Sequence, residues 1–170
     1  MIDPLQLVRQ WLLASDAVQA IAGLDVFCEV MPEHYDPTSN PCVVLSIKGG
    51  AGHPEIAPIS SQEIQVRCWA GINQFVLARS LYGACYDTLH SKSMITFVGF
   101  GTILTSYEMS TGSTLVDTDT GWATIHAAYA MQFRQDGIGT LPTYVDSTQS
   151  VQQYIDQELE NVVEDGGSGS

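Results

Sequence analysis

The sequence predicts an α+β domain: a mostly antiparallel sheet with two main helices packed on one face, a long β-hairpin loop and an acidic C-terminal extension. Three observations lead there. Two stretches repeat apolar residues at helical spacing, and several others alternate or run apolar at strand spacing. The helical stretches stand before and between the strands, in the order α, β, β, long loop, β, α and then three or four strands with hairpin-like links, which is the order of an α+β sheet. Finally, the last base is Arg134, so the chain divides into a domain over 1–135 and an extension over 136–170.

The first helix opens at Asp3, a capping residue, with Pro4 in its first position, and Leu5, Val8 and Leu12 share one face. Ser15-Asp16 restarts a shorter turn through Val18 and Ile21, closed by Gly23. Val26–Met31 reads as a strand, and Pro32–Pro41 as a loop. Cys42–Lys48 is almost continuously apolar and reads as a central strand. The connection Gly49–Ile59 carries three glycines and two prolines. Ser61–Trp69 then alternates, with Ile64, Val66 and Cys68 on one side and Glu63, Gln65 and Arg67 on the other. Asn73 is placed to cap a second helix to about His90, whose core stripe is Phe75, Ala78, Leu81, Cys85 and Leu89. Met94–Val98 and Thr102–Met109 are strands around Gly99 and Gly101. Leu115-Val116 leads into the turn Asp117–Gly121, and a closing strand presents Ala123, Ile125, Ala127, Tyr129, Met131 and Phe133 on one face.

At 170 residues and 45% hydrophobic content the chain can build one real core. Its formal charge of −13 argues against a nucleic-acid binder or an anionic-membrane binder, both of which need clustered Lys and Arg. The charge is unevenly spread. Residues 1–135 hold twelve acids and six bases, whereas 136–170 hold seven acids and no base. Within that extension Val151, Tyr154, Ile155, Leu159 and Val162 are spaced for an amphipathic helix. The longest apolar run, Ala127–Met131, is far short of the roughly 20 residues of a membrane span. Gln6, Arg9 and Gln10 interrupt the first apolar run, which does not read as a signal peptide.

Catalytic patterns are weak. Cys28, Cys42, Cys68 and Cys85 are widely spaced inside apolar patterns and read as reduced core thiols of a protein made in the cytoplasm. Gly49–Gly52 is followed by His53-Pro54 and a strand, not by the Lys-Ser/Thr and helix that a phosphate loop requires. Asp117-Thr118-Asp119 resembles the paired aspartates of haloacid-dehalogenase-type phosphotransferases, but both lysines, Lys48 and Lys92, lie upstream of it. As a calcium loop it places Gly121 fifth instead of sixth. The four histidines, His34, His53, His90 and His126, show no metal-ligand spacing, and His90 is placed to complement a helix dipole. No cofactor, metal or catalysis is expected. The enzymatic alternative is a small-ligand-binding or hydrolytic domain using Asp117, Asp119 and His126. Trp11, Trp69 and Trp122 read as core residues, with interface anchoring as their other use.

The span Ile2–Arg134 resembles the tail terminator (tail completion, head-tail joining) proteins of long-tailed bacteriophages. The pieces that carry the resemblance are the helix Asp3–Ala14, the passage into Val30-Met31-Pro32, the segment Asn40–Ile47 before a glycine-containing loop, the strand Glu63–Ala70, the Ala- and Leu-rich helix, and the turn Asp117–Gly121 before the last strand. The resemblance implies a structural virion neck protein, a hexameric ring of identical subunits that caps the tail tube and ends its growth. It would join the tail to the head connector or stopper protein while viral DNA passes through the lumen without specific binding. An acidic lumen would keep that DNA mobile. Another neck connector, such as a stopper or head-closure protein, is the nearest alternative. On this reading Gly50, Gly52, His53, Glu55 and Ile56 of the hairpin loop contact the tail tube, and Tyr154, Ile155 and Leu159 contact a neighbouring subunit. The location is the virion tail or neck, assembled in the bacterial cytoplasm without a membrane partner.

Overall fold

A computed structural model describes residues 3–52, 59–99 and 101–134, with the side chains of residues 51 and 52 left aside. Three helices and six strands follow in chain order: α1 (Pro4–Leu13), α2 (Asp16–Ala22), β1 (Val26–Cys28), β2 (Cys42–Gly52), β3 (Ile59–Ile72), α3 (Phe75–Leu89), β4 (Lys92–Phe97), β5 (Gly101–Val116) and β6 (Trp122–Arg134). One sheet holds all six strands in the order β1-β2-β3-β6-β5-β4. β1 runs parallel to β2 and every other pairing is antiparallel, so the sheet is mixed, though mostly antiparallel. The α+β class stands. Among the described residues there are three helices and not two, because Asp16–Ala22 completes a helix and buries Val18 and Ala22.

The start of α1 follows from its sequence. Asp3 Oδ1 accepts the Leu5 backbone N–H at 2.9 Å, and Pro4 sits where a missing N–H costs nothing. At α3 the expectation changes. Asn73 adopts φ 61 and Gln74 is the capping residue, its Oε1 accepting the Gly71 N–H at 2.9 Å. The chain turns sharply out of β3 there, and Asn tolerates the left-handed conformation better than most residues.

The hairpin is also longer in strand and shorter in loop than its composition predicts. Gly49, Gly50, Ala51 and Gly52 pair with Glu63, Gln62, Ser61 and Ser60, so the ladder runs through the glycines. Glycine contributes little strand preference of its own. Here β3 acts as the template, being itself paired to β6 as far as Ile59–Arg134. The register shifts at Lys48, between Ile47 and Gly49, as a one-residue bulge. β5 is likewise one strand through Val116, bent by register shifts between Ile103 and Thr105, Glu108 and Ser110, and Ser110 and Ser113.

Cross-strand register sorts the side chains into two faces. Val43–Cys68–Ile125, Leu45–Val66–Ala127 and Ile64–Tyr129 line up on one face. That face builds the core with Leu5, Leu7, Val8, Trp11 and Leu12 of α1, Val18 of α2, and Leu81, Cys85 and Leu89 of α3. Burying each large aliphatic side chain here contributes about 1.5–3 kcal/mol. The intervening residues, Cys42–Trp69–Thr124, Val44–Arg67–His126 and Ser46–Gln65–Ala128, lie on the opposite face and join no helix in a core cluster.

Candidate functional site

The opposite face groups polar and aromatic side chains. Strand alternation sends Arg67 and Trp69 of β3 away from the core, and the β3–β6 register sets them beside His126 and Thr124. Trp69 meets Trp122 edge to face, with ring centroids 6.3 Å apart, and His126 at 6.4 Å. An aromatic pair of this geometry contributes about 0.5–1.5 kcal/mol beyond its burial.

The segment between β1 and β2 reaches over one end of this face. Arg67 Nη2 donates to the Glu29 carbonyl at 3.1 Å. Thr38 packs so closely on Gly71 that a Cβ there would meet the Thr38 Cα at 2.7 Å. Tyr35 donates to Asp25 Oδ2 at 2.7 Å and stacks edge-on against Phe27 at 5.0 Å. Burial and that hydrogen bond together raise the Tyr35 phenol well above its ordinary value, so it stays a donor at any physiological pH. The buried Cys42 thiol is pushed up to about 12, mainly by desolvation and further by Asp25.

Electrostatically the face mixes signs, with Arg67 near Glu29 and Glu63 alternating onto the same side of β3. Desolvation lowers His126 first, and the Arg67 and Lys48 charges lower it further, so the imidazole is neutral at pH 7. Desolvation also lowers Arg67, against the attraction of Glu29. Four polar atoms on this face are buried without a hydrogen-bond partner: Arg67 Nε, Trp69 Nε1, Thr124 Oγ1 and His126 Nε2.

The aspartates of the enzymatic alternative are committed elsewhere. Asp117 Oδ1 accepts from the Asp119 N–H, the Thr120 N–H and the Thr120 hydroxyl, at 3.0, 2.9 and 2.9 Å, and these bonds hold its carboxyl below the usual range. The turn is the polar turn that its composition predicts. The Asp117 N–H bonds the Trp122 carbonyl, and His126 lies four residues further along β6, about 13 Å at strand rise. Asp117, Asp119 and His126 therefore do not converge. Among the described residues no group of His, Cys, Asp and Glu is placed to hold a metal ion.

Of the residues expected to contact a tail tube, Gly50 and Gly52 lie in β2, opposite Gln62 and Ser60. His53, Glu55 and Ile56, and the subunit-contact residues Tyr154, Ile155 and Leu159, lie outside the described residues, as does the extension 136–170. His90 takes a different role from the one expected. It caps α3, but its Nδ1 accepts the Glu108 N–H at 3.1 Å and its ring stacks on Tyr86 at 4.5 Å, so it secures β5 instead of answering a dipole. The cysteines divide similarly: Cys42, Cys68 and Cys85 are buried, Cys28 is half-buried, and all four are free thiols. Cys68 and Cys85 lie 3.9 Å apart, and the bond to Cys85, with burial, pushes Cys68 well up. Sequence reasoning missed the Arg67–Trp69–His126 grouping. Its one signal was that Arg67 alternates away from the core.

No helix among the described residues is long and apolar enough to cross a membrane. No protein-family model matches the sequence. No curated protein matches it. Among solved structures, the chain is similar in fold to a chain of the virion of a native gene transfer agent particle, with a TM-score of 0.56 and 14% identity, over 75% of this chain and 92% of that one. At that identity the likeness is one of fold.

Proposed function

We propose that this protein is a non-enzymatic structural component of a phage-like virion, and more narrowly a tail terminator, forming a hexameric ring at the neck that caps the tail tube. The observation that carries the proposal is the fold shared with a chain of a gene transfer agent virion, which covers nearly all of that chain. The resemblance of residues 2–134 to tail terminators supports the narrower reading.

A ring of identical subunits needs two different, complementary surfaces on each one. The outer side of β2 beyond its pairing with β1 is one candidate for such contacts. In this reading the β2–β3 arm and its tip, with Gly50, Gly52, His53, Glu55 and Ile56, reach the tail tube protein. The extension, through Tyr154, Ile155 and Leu159, contacts a neighbouring subunit. The head-side partner is a connector or stopper protein, and viral DNA crosses the lumen without specific binding.

Electron microscopy of the purified chain tests this directly, with six-membered rings expected. Deleting Gly50–Pro58 should leave a folded protein that no longer caps tubes. Normal tail length and infectivity with that deletion would reject the arm as the tube contact. Absence of rings at every concentration, alone and with tail tubes, would reject the ring itself.

A further inference from the structure

We infer that Cys68 and Cys85 form a latent oxidation site, which a small neutral peroxide converts to a disulfide that staples α3 to β3. The inference goes beyond the ring reading above and does not depend on it.

The first observation is contact across two elements. Strand alternation turns Cys68 of β3 into the core, and the stripe Leu81, Cys85 and Leu89 of α3 packs into the same core. The two Sγ atoms lie 3.9 Å apart, although the residues stand seventeen positions apart in the chain. A disulfide bond is about 2.05 Å long, so the sulfurs have about 1.9 Å to close. Rotation about the two Cα–Cβ bonds moves sulfur by that much.

The second observation is selectivity. Cys42 pairs with Trp69 on the opposite face of the sheet, and Cys28 of β1 accepts from Gln6 Nε2 at 3.7 Å. Of the four thiols, Cys68 and Cys85 are the pair in sulfur–sulfur contact.

Their surroundings choose the oxidant. Both residues are fully buried, with Leu81 and Tyr129 in the same core, where a bulky or charged reagent is excluded. A peroxide is small and uncharged. One sulfur attacks a peroxide oxygen, the O–O bond breaks, and the thiol proton leaves with the other oxygen as water, which makes a sulfenic acid. The second sulfur then attacks the sulfenic sulfur, the S–O bond breaks, and a second water leaves. The peroxide takes up the two electrons that the two thiols lose. The bond to Cys85, with burial, keeps Cys68 a thiol at neutral pH, so the first step is slow. A reducing cytoplasm outruns so slow a step, and a particle released from the cell loses that protection. The staple also closes a loop in the unfolded chain, which favours the folded one.

The test incubates the reduced full chain with hydrogen peroxide, alkylates it under denaturing conditions and maps its peptides by mass spectrometry. The expected product is a peptide linked through Cys68 and Cys85 and lighter by two hydrogens, with Cys28 and Cys42 still alkylated. The Tm should rise by roughly 5–10 °C and return when dithiothreitol is added. Cys85→Ala should abolish the rise, and Cys28→Ala should keep it. If Cys85→Ala does not fold, the linked peptide and the reversal by dithiothreitol in wild type still decide. Exposed Met94 serves as the internal clock. Persistence of all four thiols after Met94 is oxidised would overturn the inference, and so would sulfinic acid at Cys68 or Cys85 in place of the link. The electron microscopy of rings uses the reduced chain, so either failure leaves the ring reading standing.

Discussion

Replacing Tyr129 by phenylalanine should make this protein more stable. Tyr129 lies in the middle of β6, facing the helices with none of its surface exposed, between Ile64 on β3 and Glu108 on β5. Its hydroxyl is buried without a hydrogen-bond partner, and burial first, then the charge of Glu108, raises the phenol far above its ordinary value. An unsatisfied buried hydroxyl costs about 1–3 kcal/mol. Removing one oxygen leaves a gap on the order of 10 Å³, worth about 0.2 kcal/mol at about 24 cal/mol per Å³. The net expectation is a gain of about 1–2 kcal/mol, or roughly 3–8 °C in Tm for a domain of this size. Urea unfolding followed by tryptophan fluorescence reads it as a higher midpoint with an unchanged slope. Running it at two protein concentrations keeps self-association out of the comparison. A variant less stable than wild type by about 0.5 kcal/mol or more would show that the hydroxyl has a partner, and the reasoning would fail.

Two further substitutions probe the two faces of the sheet. At Gly112 an added Cβ would meet Ile125 Cγ2 at 2.6 Å and Tyr82 Cζ at 2.9 Å, so Gly112→Ala should cost about 1–3 kcal/mol and lower the Tm in calorimetry; an unchanged Tm would mean that β5 shifts freely over α3. His126 is held below the ordinary imidazole value of about 6.5, so the unfolded chain binds the proton more readily, and stability should fall as pH drops below about 6.5. His126→Gln should flatten that part of the stability profile between about pH 7.5 and 5, and an equal slope in both proteins would contradict it.

Much of the fold was legible where a residue's local chemistry and its tertiary role agree. Asp3-Pro4 starts α1 because a capping carboxylate and a proline suit only that position. The alternation of β6 from Ala123 to Phe133 reads directly as one buried face. Asp117 closes its turn with its own side chain. Local chemistry misled where distant residues decide. Gly49–Gly52 become strand because β3 and β6 hold the template, and Asn73 yields the cap to Gln74 because of how the chain leaves β3. The candidate site was hidden for the same reason. That Arg67 points away from the core follows from alternation, but that it faces His126, and Trp69 faces Thr124, depends on pairing between strands more than fifty residues apart.

How the outer strands end bears on how the chain meets its partners. At one border, Arg9 Nε donates to the Val26 carbonyl of β1 at 2.7 Å. At the other, Met94 adopts φ 56 in the middle of β4, and the register there passes from Ser93 directly to Ile95. Where β4 stops, α3 continues the closure: His90 takes the Glu108 N–H, and the Tyr82 hydroxyl takes the Gly112 N–H at 3.3 Å while donating to Glu108. A left-handed residue within an edge strand and side-chain caps of this kind hinder a foreign strand from joining a sheet. Among the described residues, β2 from Ser46 onward has no strand on its outer side, as β5 from Tyr107 onward has none, and β2 leads straight into the hairpin arm. Open-ended stacking of copies edge to edge is thereby opposed at β1, β4 and β5.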